Sequence, residues 1–396
     1  MQKAVEVSMK LNFVFLGYIN ASDSSNSSKI FGFHLNPIII FVFTAAFTFA
    51  KKIKEIKNPW IQTLILAVLF LPIGASAFQP RLVTSFPVLG YREIEFFDDY
   101  HRIDRTLLIW YPVNEHLEGK MSKNPWDNFK VILNATPSLS KMPIVLISHD
   151  YAGDPHQLSW LIQGLAHQGS LVLGIQHRDT VEGKAHLNRW QRALDLSKMI
   201  DQFSKSPLSG WGNLNKIAVV GYSLGGTTAI IVAGGRTTKL KNFKQESKDF
   251  SAEEIAKINE ALPTLNKTQM SKDWRDKRIK AAFVMAPSWP GLFDEMTLRK
   301  ITTPIYILSV DADQGVKSKN NAEHLTKNIP QSIHQQIPGK AGPYVFISNL
   351  NAMQKDQADP THQLSILFED EASINRAWIQ LQVIAEVCRF FKTQFE

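Results

Sequence analysis

The chain of 396 residues predicts a doubly wound α/β fold, a mostly parallel sheet covered by helices on both faces. Three observations predict it. Short apolar segments alternate with helical patterns from Arg92 onward. Several of those segments, such as Ile144-Val145-Leu146-Ile147, are apolar at every position, as strands covered on both sides are. One of them, Ile217-Ala218-Val219-Val220, runs through Gly221-Tyr222-Ser223-Leu224-Gly225-Gly226 into a helix-compatible stretch, Thr227 to Ala233.

Extended segments are expected at Arg92 to Phe97, Thr106 to Tyr111, Pro143 to His149 and Leu171 to Gln176. Others follow at Lys216 to Gly221, Ile279 to Ala286, Pro304 to Val310 and Ser332 to Ile337. Helical patterns fall between and after them, at Gln157 to His167, Leu187 to Phe203, Leu224 to Ala233, Asn320 to Lys327 and Ser373 to Phe391. Residues 236–278 break this rhythm and form a helical insertion before the sixth core strand. There, Phe250-Ser251-Ala252-Glu253-Glu254-Ile255 offers a capping box with a hydrophobic staple, and the surrounding Lys and Glu suit a solvated face.

Composition narrows the function classes. At 44% hydrophobic and 20% charged residues the chain can bury a large core, and its net charge of +8 is spread rather than clustered with stacking aromatics, so no nucleic-acid partner is implied. The single cysteine, Cys388, excludes an internal disulfide, a thiolate zinc site and an iron–sulfur cluster, and it sits in an apolar run that suits a buried helix. No H-E-x-x-H, P-loop or G-x-G-x-x-G occurs, so neither a metal nor a nucleotide cofactor is implied.

The N-terminus is of a membrane-related type. Lys51, Lys52, Lys54 and Lys57 precede the apolar run Leu64 to Ile73, which ends at Gly74-Ala75-Ser76-Ala77; this is the form of a secretory signal with an A-x-A cleavage site. Residues 1–50 stand before it and contain a second apolar stretch, Pro37 to Ala50. Either residues 1–50 are an over-extended start and the product is exported and cleaved near Ala77, or two apolar segments form a membrane anchor with the lysine loop inside. Both place residues 78–396, the main domain, outside the cytoplasm.

The turn around Ser223 is the chemical signal. A serine between a strand and a helix is forced into a strained conformation that only small neighbours tolerate, and its hydroxyl is pushed out above the sheet edge as a nucleophile. Further segments then carry a family resemblance over most of residues 90–392. They are Trp110-Tyr111-Pro112, Pro143 to His149 with its S-H-x turn, Ser159-Trp160-Leu161, His177-Arg178-Asp179, Asp276 to Ala281 and Asn375-Arg376-Ala377. Together with the Ser223 turn, the chain resembles the α/β-hydrolases, and among them the dienelactone-hydrolase-like esterases related to platelet-activating-factor acetylhydrolase.

The resemblance implies a serine hydrolase acting on a small-molecule ester, lipid-like esters included, through an acyl-enzyme. Ser223 would be the nucleophile and Asp313 the triad acid, with Asp311 the near alternative. The backbone N–H groups of Leu224 and Tyr151 would form the oxyanion hole. Two positions depart from the family pattern. Gly339-Lys340-Ala341-Gly342-Pro343 places a proline, which cannot relay a proton, where the family histidine stands. His334, His324 and His362 are the histidines nearest in sequence, and of these only His362, in the long loop from Ser348 to Glu371, has the freedom to serve as a relocated base. Asp150 replaces the glycine of the S-H-G turn and sets a carboxylate beside the expected oxyanion donors, while His149 is expected to bond backbone. A non-catalytic binding protein on the same scaffold is therefore the alternative expectation, because Pro343 stands at the histidine position.

Overall fold

The computed structural model describes residues 88–114, 118–181, 184–185, 190–238, 256, 259–260, 262–312, 318–358 and 365–396. The signal-like and apolar N-terminal segments lie outside these residues, as does the capping box of the insertion. Among the described residues no helix is long and apolar enough to cross a membrane.

A hairpin opens the fold. Strands β1 (Val88–Asp98) and β2 (Ile103–Pro112) pair antiparallel. The Asp98 carboxylate accepts from the backbone N–H groups of Tyr100 and His101, and Arg102 completes the turn at φ 56°. The short strands β3 (Lys120–Met121) and β4 (Lys130–Leu133) extend the sheet beside β1. Next come β5 (Met142–Ser148), a 3-10 turn at Pro155–Leu158, α1 (Ser159–His167) and β6 (Leu171–Gly174). A two-residue ribbon, β7 (Thr180–Val181) and β8 (Lys184–Ala185), precedes α2 (Trp190–Lys205), β9 (Gly212–Tyr222) and α3 (Leu224–Val232). Of the insertion, α4 (Lys267–Met270) is described, capped by the Asn266 side chain. The remainder runs through β10 (Ile279–Met285), α5 (Glu295–Leu298), β11 (Ile305–Val310), α6 (Ser318–Asn328), β12 (Ser332–Ile337), α7 (Ala352–Ala358) and α8 (Arg376–Phe395).

The main sheet has the order β12-β11-β10-β9-β5-β6-β2-β1-β4-β3. Its half from β6 to β12 is wholly parallel, and β2 and β3 run against their neighbours. Alternate side chains of one strand enter different cores. Ile144 and Leu146 of β5 join Val219, Val284 and Ile307 beneath α2, α3 and α6, while Val145 and Ile147 join Ala218, Val220 and Phe283 beneath α1 and α8. Both faces being covered, the central stretches of these strands, such as Ile217 to Val220 and Ala281 to Met285, are apolar throughout.

Helix α2 shows the matching helical period: Leu196, Met199, Ile200 and Phe203 form one buried stripe against the sheet. Full burial of each such side chain contributes about 1.5–3 kcal/mol. The segment from Ser348 to Glu371, expected to be a long loop, contains α7 and a 3-10 turn at Ser365–Phe368, because Asn351 and Gln354 bond reciprocally at the start of α7. Cys388 lies on α8, half-buried rather than fully enclosed, with its thiol pushed up to about 11 by burial.

Strand order places the site. The chain passes from β5 to β6 on one side of β5, then returns to lay β9 on the other side. The carboxyl ends of β5 and β9 thus flank the switch point where loops part in opposite directions and leave a crevice. Phe203 is fully buried in the α2 stripe, so Phe203→Ala is expected to lower unfolding free energy by about 3–5 kcal/mol, measured by urea denaturation of the purified protein.

Candidate active site

Ser223 is the residue between β9 and α3, with φ 52° and ψ −113°. A non-glycine residue in that region is strained by roughly 1–3 kcal/mol and persists only where its surroundings fix it. Here its N–H donates to Met285 O (2.9 Å), and its carbonyl accepts from the N–H groups of Gly226 (3.0 Å), Thr227 (3.2 Å) and Ser288 (3.3 Å). Small neighbours are obligatory. A Cβ on Gly221 would lie 2.1 Å from Gly225 O, and one on Gly225 only 1.8 Å from Ser148 O. Ala152, Ala286 and Trp289, on the loops after β5 and β10, also have positive φ, so backbone strain concentrates at this sheet edge.

The expected oxyanion donors do converge, and they converge on a side chain. Asp150 Oδ1 accepts from Tyr151 N (2.7 Å) and from Leu224 N (3.3 Å). Burial, the largest influence, pushes the Asp150 carboxyl up; the Ser223 side chain, the two amides and the Arg192 charge oppose it without cancelling it. The carboxylate that the sequence placed beside the expected donors therefore occupies the point on which they converge.

A buried polar network holds the turn that carries this carboxylate. His149 bonds backbone through both ring nitrogens: Nε2 accepts from His177 N (2.9 Å), which leaves Nδ1–H to donate to Asp150 O (2.7 Å). Arg192 donates to the carbonyl of His149 and pairs with Asp179 (3.1 Å), and Asp179 accepts from Ala152 N (2.9 Å). Below them Ser148 Oγ meets His177 Nε2 (3.0 Å), and His177 Nδ1 meets Asp195 (2.8 Å). The order is serine, histidine, aspartate, as in a catalytic triad, but Ser148 is fully buried and no substrate reaches it.

Arg105 extends the chain of contacts, donating to Asp195 (2.5 Å), Asp98 (3.1 Å) and Gln176 O (2.5 Å). Asp98, His101 and Asp195 could offer three metal ligands, yet Arg105 and Lys198 already bond these carboxylates and neutralise them. Sequence reasoning missed Arg192 and Asp195. Their signal was present: two charges three apart on α2, on its otherwise apolar buried side.

The residues quoted for the family resemblance mostly hold the scaffold. Trp160 Nε1 donates to Phe346 O (2.7 Å), Arg376 pairs with Asp370 (2.7 Å), and Arg278 bridges Asp276 and Asp201. Tyr111 Oη donates to Ala135 O (2.8 Å). The structure brings Ser223, Leu224 and Tyr151 together around Asp150. Asp313 and His362 lie outside the described residues. Asp311 is exposed and accepts from Gln336 (2.6 Å), and His334 pairs with Ser309 Oγ across β11 and β12 (2.9 Å). His324 lies on α6. Pro343 is buried and starts a 3-10 turn ending at Phe346, whose ring packs 5.8 Å from that of Tyr222. Ala312 N donates to Ala341 O (3.2 Å), so the loops after β11 and β12 meet beside that turn.

No protein-family model matches the sequence, and no curated protein does. Solved structures are similar. A ferulic acid esterase from Streptomyces cinnamoneus superposes with a TM-score of 0.50 at 15% identity, over 78% of this chain and 91% of that one. The chain has the α/β-hydrolase fold. A fungal esterase from Rhizomucor miehei (TM-score 0.45, 8% identity, 78% and 85% covered) and the esterase Pf2001 from Pyrococcus furiosus (TM-score 0.40, 12% identity, 77% and 93% covered) are also similar.

One ion pair next to the site carries a pH dependence. His156, in the turn after the Asp150 loop, shares its Nδ1 proton with both oxygens of the buried Asp127 (2.9 and 3.0 Å). Burial pulls the imidazolium down, but the hydrogen bond and charge of Asp127 outweigh it and the net shift is upward. A histidine raised on folding contributes stability below its unfolded value, about 6.5, and that contribution is lost as pH rises through the folded value. Unfolding free energy measured by denaturant between pH 6 and 9 is expected to carry this fall in the wild type and to lack it in His156→Asn. Equal slopes would remove the assignment.

Proposed function

We propose that this protein is a serine ester hydrolase of the dienelactone-hydrolase-like, platelet-activating-factor-acetylhydrolase-like type, acting on a small-molecule ester. The observation that carries the proposal is Ser223, held at φ 52° between strand and helix at the switch point of the sheet. The strain costs stability and presents a hydroxyl over the crevice. Esterase activity in proteins of the same fold supports the proposal by analogy alone.

In this mechanism Ser223 Oγ attacks the ester carbonyl carbon while its proton passes to an imidazole, for which His362 is the candidate, oriented by Asp313. The carbonyl oxygen takes up negative charge and accepts from Leu224 N and Tyr151 N. The alcohol leaves with the proton from the imidazole, and water then releases the carboxylic acid from Ser223. The second reading, a non-catalytic binding scaffold, is favoured by Pro343 at the family histidine position and by the carboxylate of Asp150 among the oxyanion donors.

Hydrolysis of p-nitrophenyl acetate, together with labelling by a fluorophosphonate, separates the two readings. Ser223→Ala is expected to abolish labelling and lower turnover on the order of 10³-fold, and His362→Ala to match that loss, because triad members act as a unit. A silent His362→Ala with a gain from Pro343→His would instead identify a decayed triad. Absent labelling and equal rates in wild type and Ser223→Ala would leave the binding scaffold.

The proposal extends to location. The Lys51 to Ala77 pattern supports export or membrane attachment of the domain. Expression in a host with a general secretion system is expected to yield a mature N-terminus at Phe78. An intact N-terminus in the membrane fraction would support the anchor instead.

A further inference from the structure

We propose that Asp150 is the residue that sets the reactivity of Ser223: its carboxylate is a built-in occupant of the oxyanion hole, and turnover requires it to yield the Leu224 and Tyr151 amides to the substrate's carbonyl oxygen. The inference rests on the serine-hydrolase reading and adds to it a residue that no triad includes. Two backbone N–H groups from different loops, one after β5 and one at the start of α3, bond a single oxygen, Asp150 Oδ1. Those are the two groups that a hydrolase of this fold aims at a developing oxyanion. A carboxylate oxygen carries the same partial charge and takes the same kind of donors, so it mimics the species that the hole is shaped to hold.

Three features show that this placement is built. Asp150 stands on a turn fixed at both ends: the carbonyl of His149 is bonded by Arg192, and Ala152 N donates to Asp179. Its own carbonyl accepts from His149 Nδ1, which fixes the backbone from which the side chain departs. Its charge is answered from three sides, by the guanidinium of Arg192 on α2, by the Ser223 side chain and by the dipole of the α3 N-terminus. Among the described residues, the titratable groups around the turn include the carboxylate of Asp179, already paired with Arg192, and the rings of His149 and His177, which burial holds neutral.

A neutral ester oxygen must therefore compete with an anion for both donors. While Asp150 is ionised the competition suppresses attack at Ser223, and protonation or displacement of its side chain relieves it. The same occupancy forms a negative wall beside the nucleophile, so esters with an anionic acyl group are disfavoured over neutral ones.

Two measurements test this. Amide resonances of Leu224 and Tyr151, followed by nitrogen–proton correlation spectra during an acid titration, are expected to move together with one midpoint above the ordinary aspartate value of about 3.9, and to lose that transition in Asp150→Asn. Fluorophosphonate labelling at pH 7 is expected to be on the order of a hundredfold faster in Asp150→Gly than in wild type, with Asp150→Asn between them. Amides that do not titrate together would overturn the proposal, as would a folded Asp150→Gly that labels no faster than wild type. Labelling that survives Ser223→Ala in the Asp150→Gly background would instead overturn the serine reading, and the amide titration, which needs no chemistry, still decides the place of Asp150.

Discussion

The closest backbone approach in the site lies between Gly225 and the carbonyl of Ser148, where a single added carbon would sit 1.8 Å from oxygen. It joins the ends of β5 and β9 so tightly that the first turn of α3 rests on the loop after β5. Everything distinctive about the crevice follows from that contact. Ser223 must turn through a strained conformation to let α3 start there, and Leu224 N and Tyr151 N, on different segments, come to face one point. A larger residue at 221 or 225 would part the two loops, and the two donors would no longer share an acceptor.

Such an approach needs a rigid base, and the chain supplies it with buried charge. Arg105, Asp98, Asp195 and Lys198 form one cluster, and Arg192 with Asp179 a second, both beneath the turn of Ser148 to Ala152. Burying ions is costly, and the attraction within each pair offsets that cost only when the geometry is complete. Removing one partner from such a pair typically costs about 3–5 kcal/mol, since the other is left uncompensated. Arg192 and Asp179 bond the backbone of the turn directly, and Asp195 reaches it through His177 and the Ser148 hydroxyl, so the energy of the clusters is expressed as position. The buried serine–histidine–aspartate series at Ser148, His177 and Asp195 belongs to this base. The same three residue types that perform catalysis when exposed serve here to fix a loop.

Much of the fold was legible because its signals are local. The all-apolar run of β5 and the i, i+3, i+4, i+7 stripe of α2 state their burial without reference to any partner, and the glycines around Ser223 state that the turn is tight. The short strands β3, β4, β7 and β8 went unforeseen, because two to four residues carry no usable period and their pairing depends on a neighbour distant in sequence. Helix α7 was read as loop for a related reason: its sequence, AMQKDQA, has almost no apolar face, and its start is set by the reciprocal bonds of Asn351 and Gln354.

The sequence by itself determined the alternation of strands and helices, the strained serine between β9 and α3, the absence of a histidine at position 343 and the presence of a carboxylate at position 150. Each is a property of residue type and near neighbours, which the chain carries before it folds. Only the tertiary structure decided where that carboxylate points. Its direction is set by the N–H of Leu224, 74 residues away, and by an arginine on α2, and no local pattern relates those positions to Asp150. Tertiary structure likewise gave the two serines different partners: Ser148 is wholly enclosed and meets His177, whereas Ser223, buried on its strained turn, meets the carboxylate of Asp150. Which partner each serine meets depends on how strands and loops pack, and that is settled only when the sheet closes.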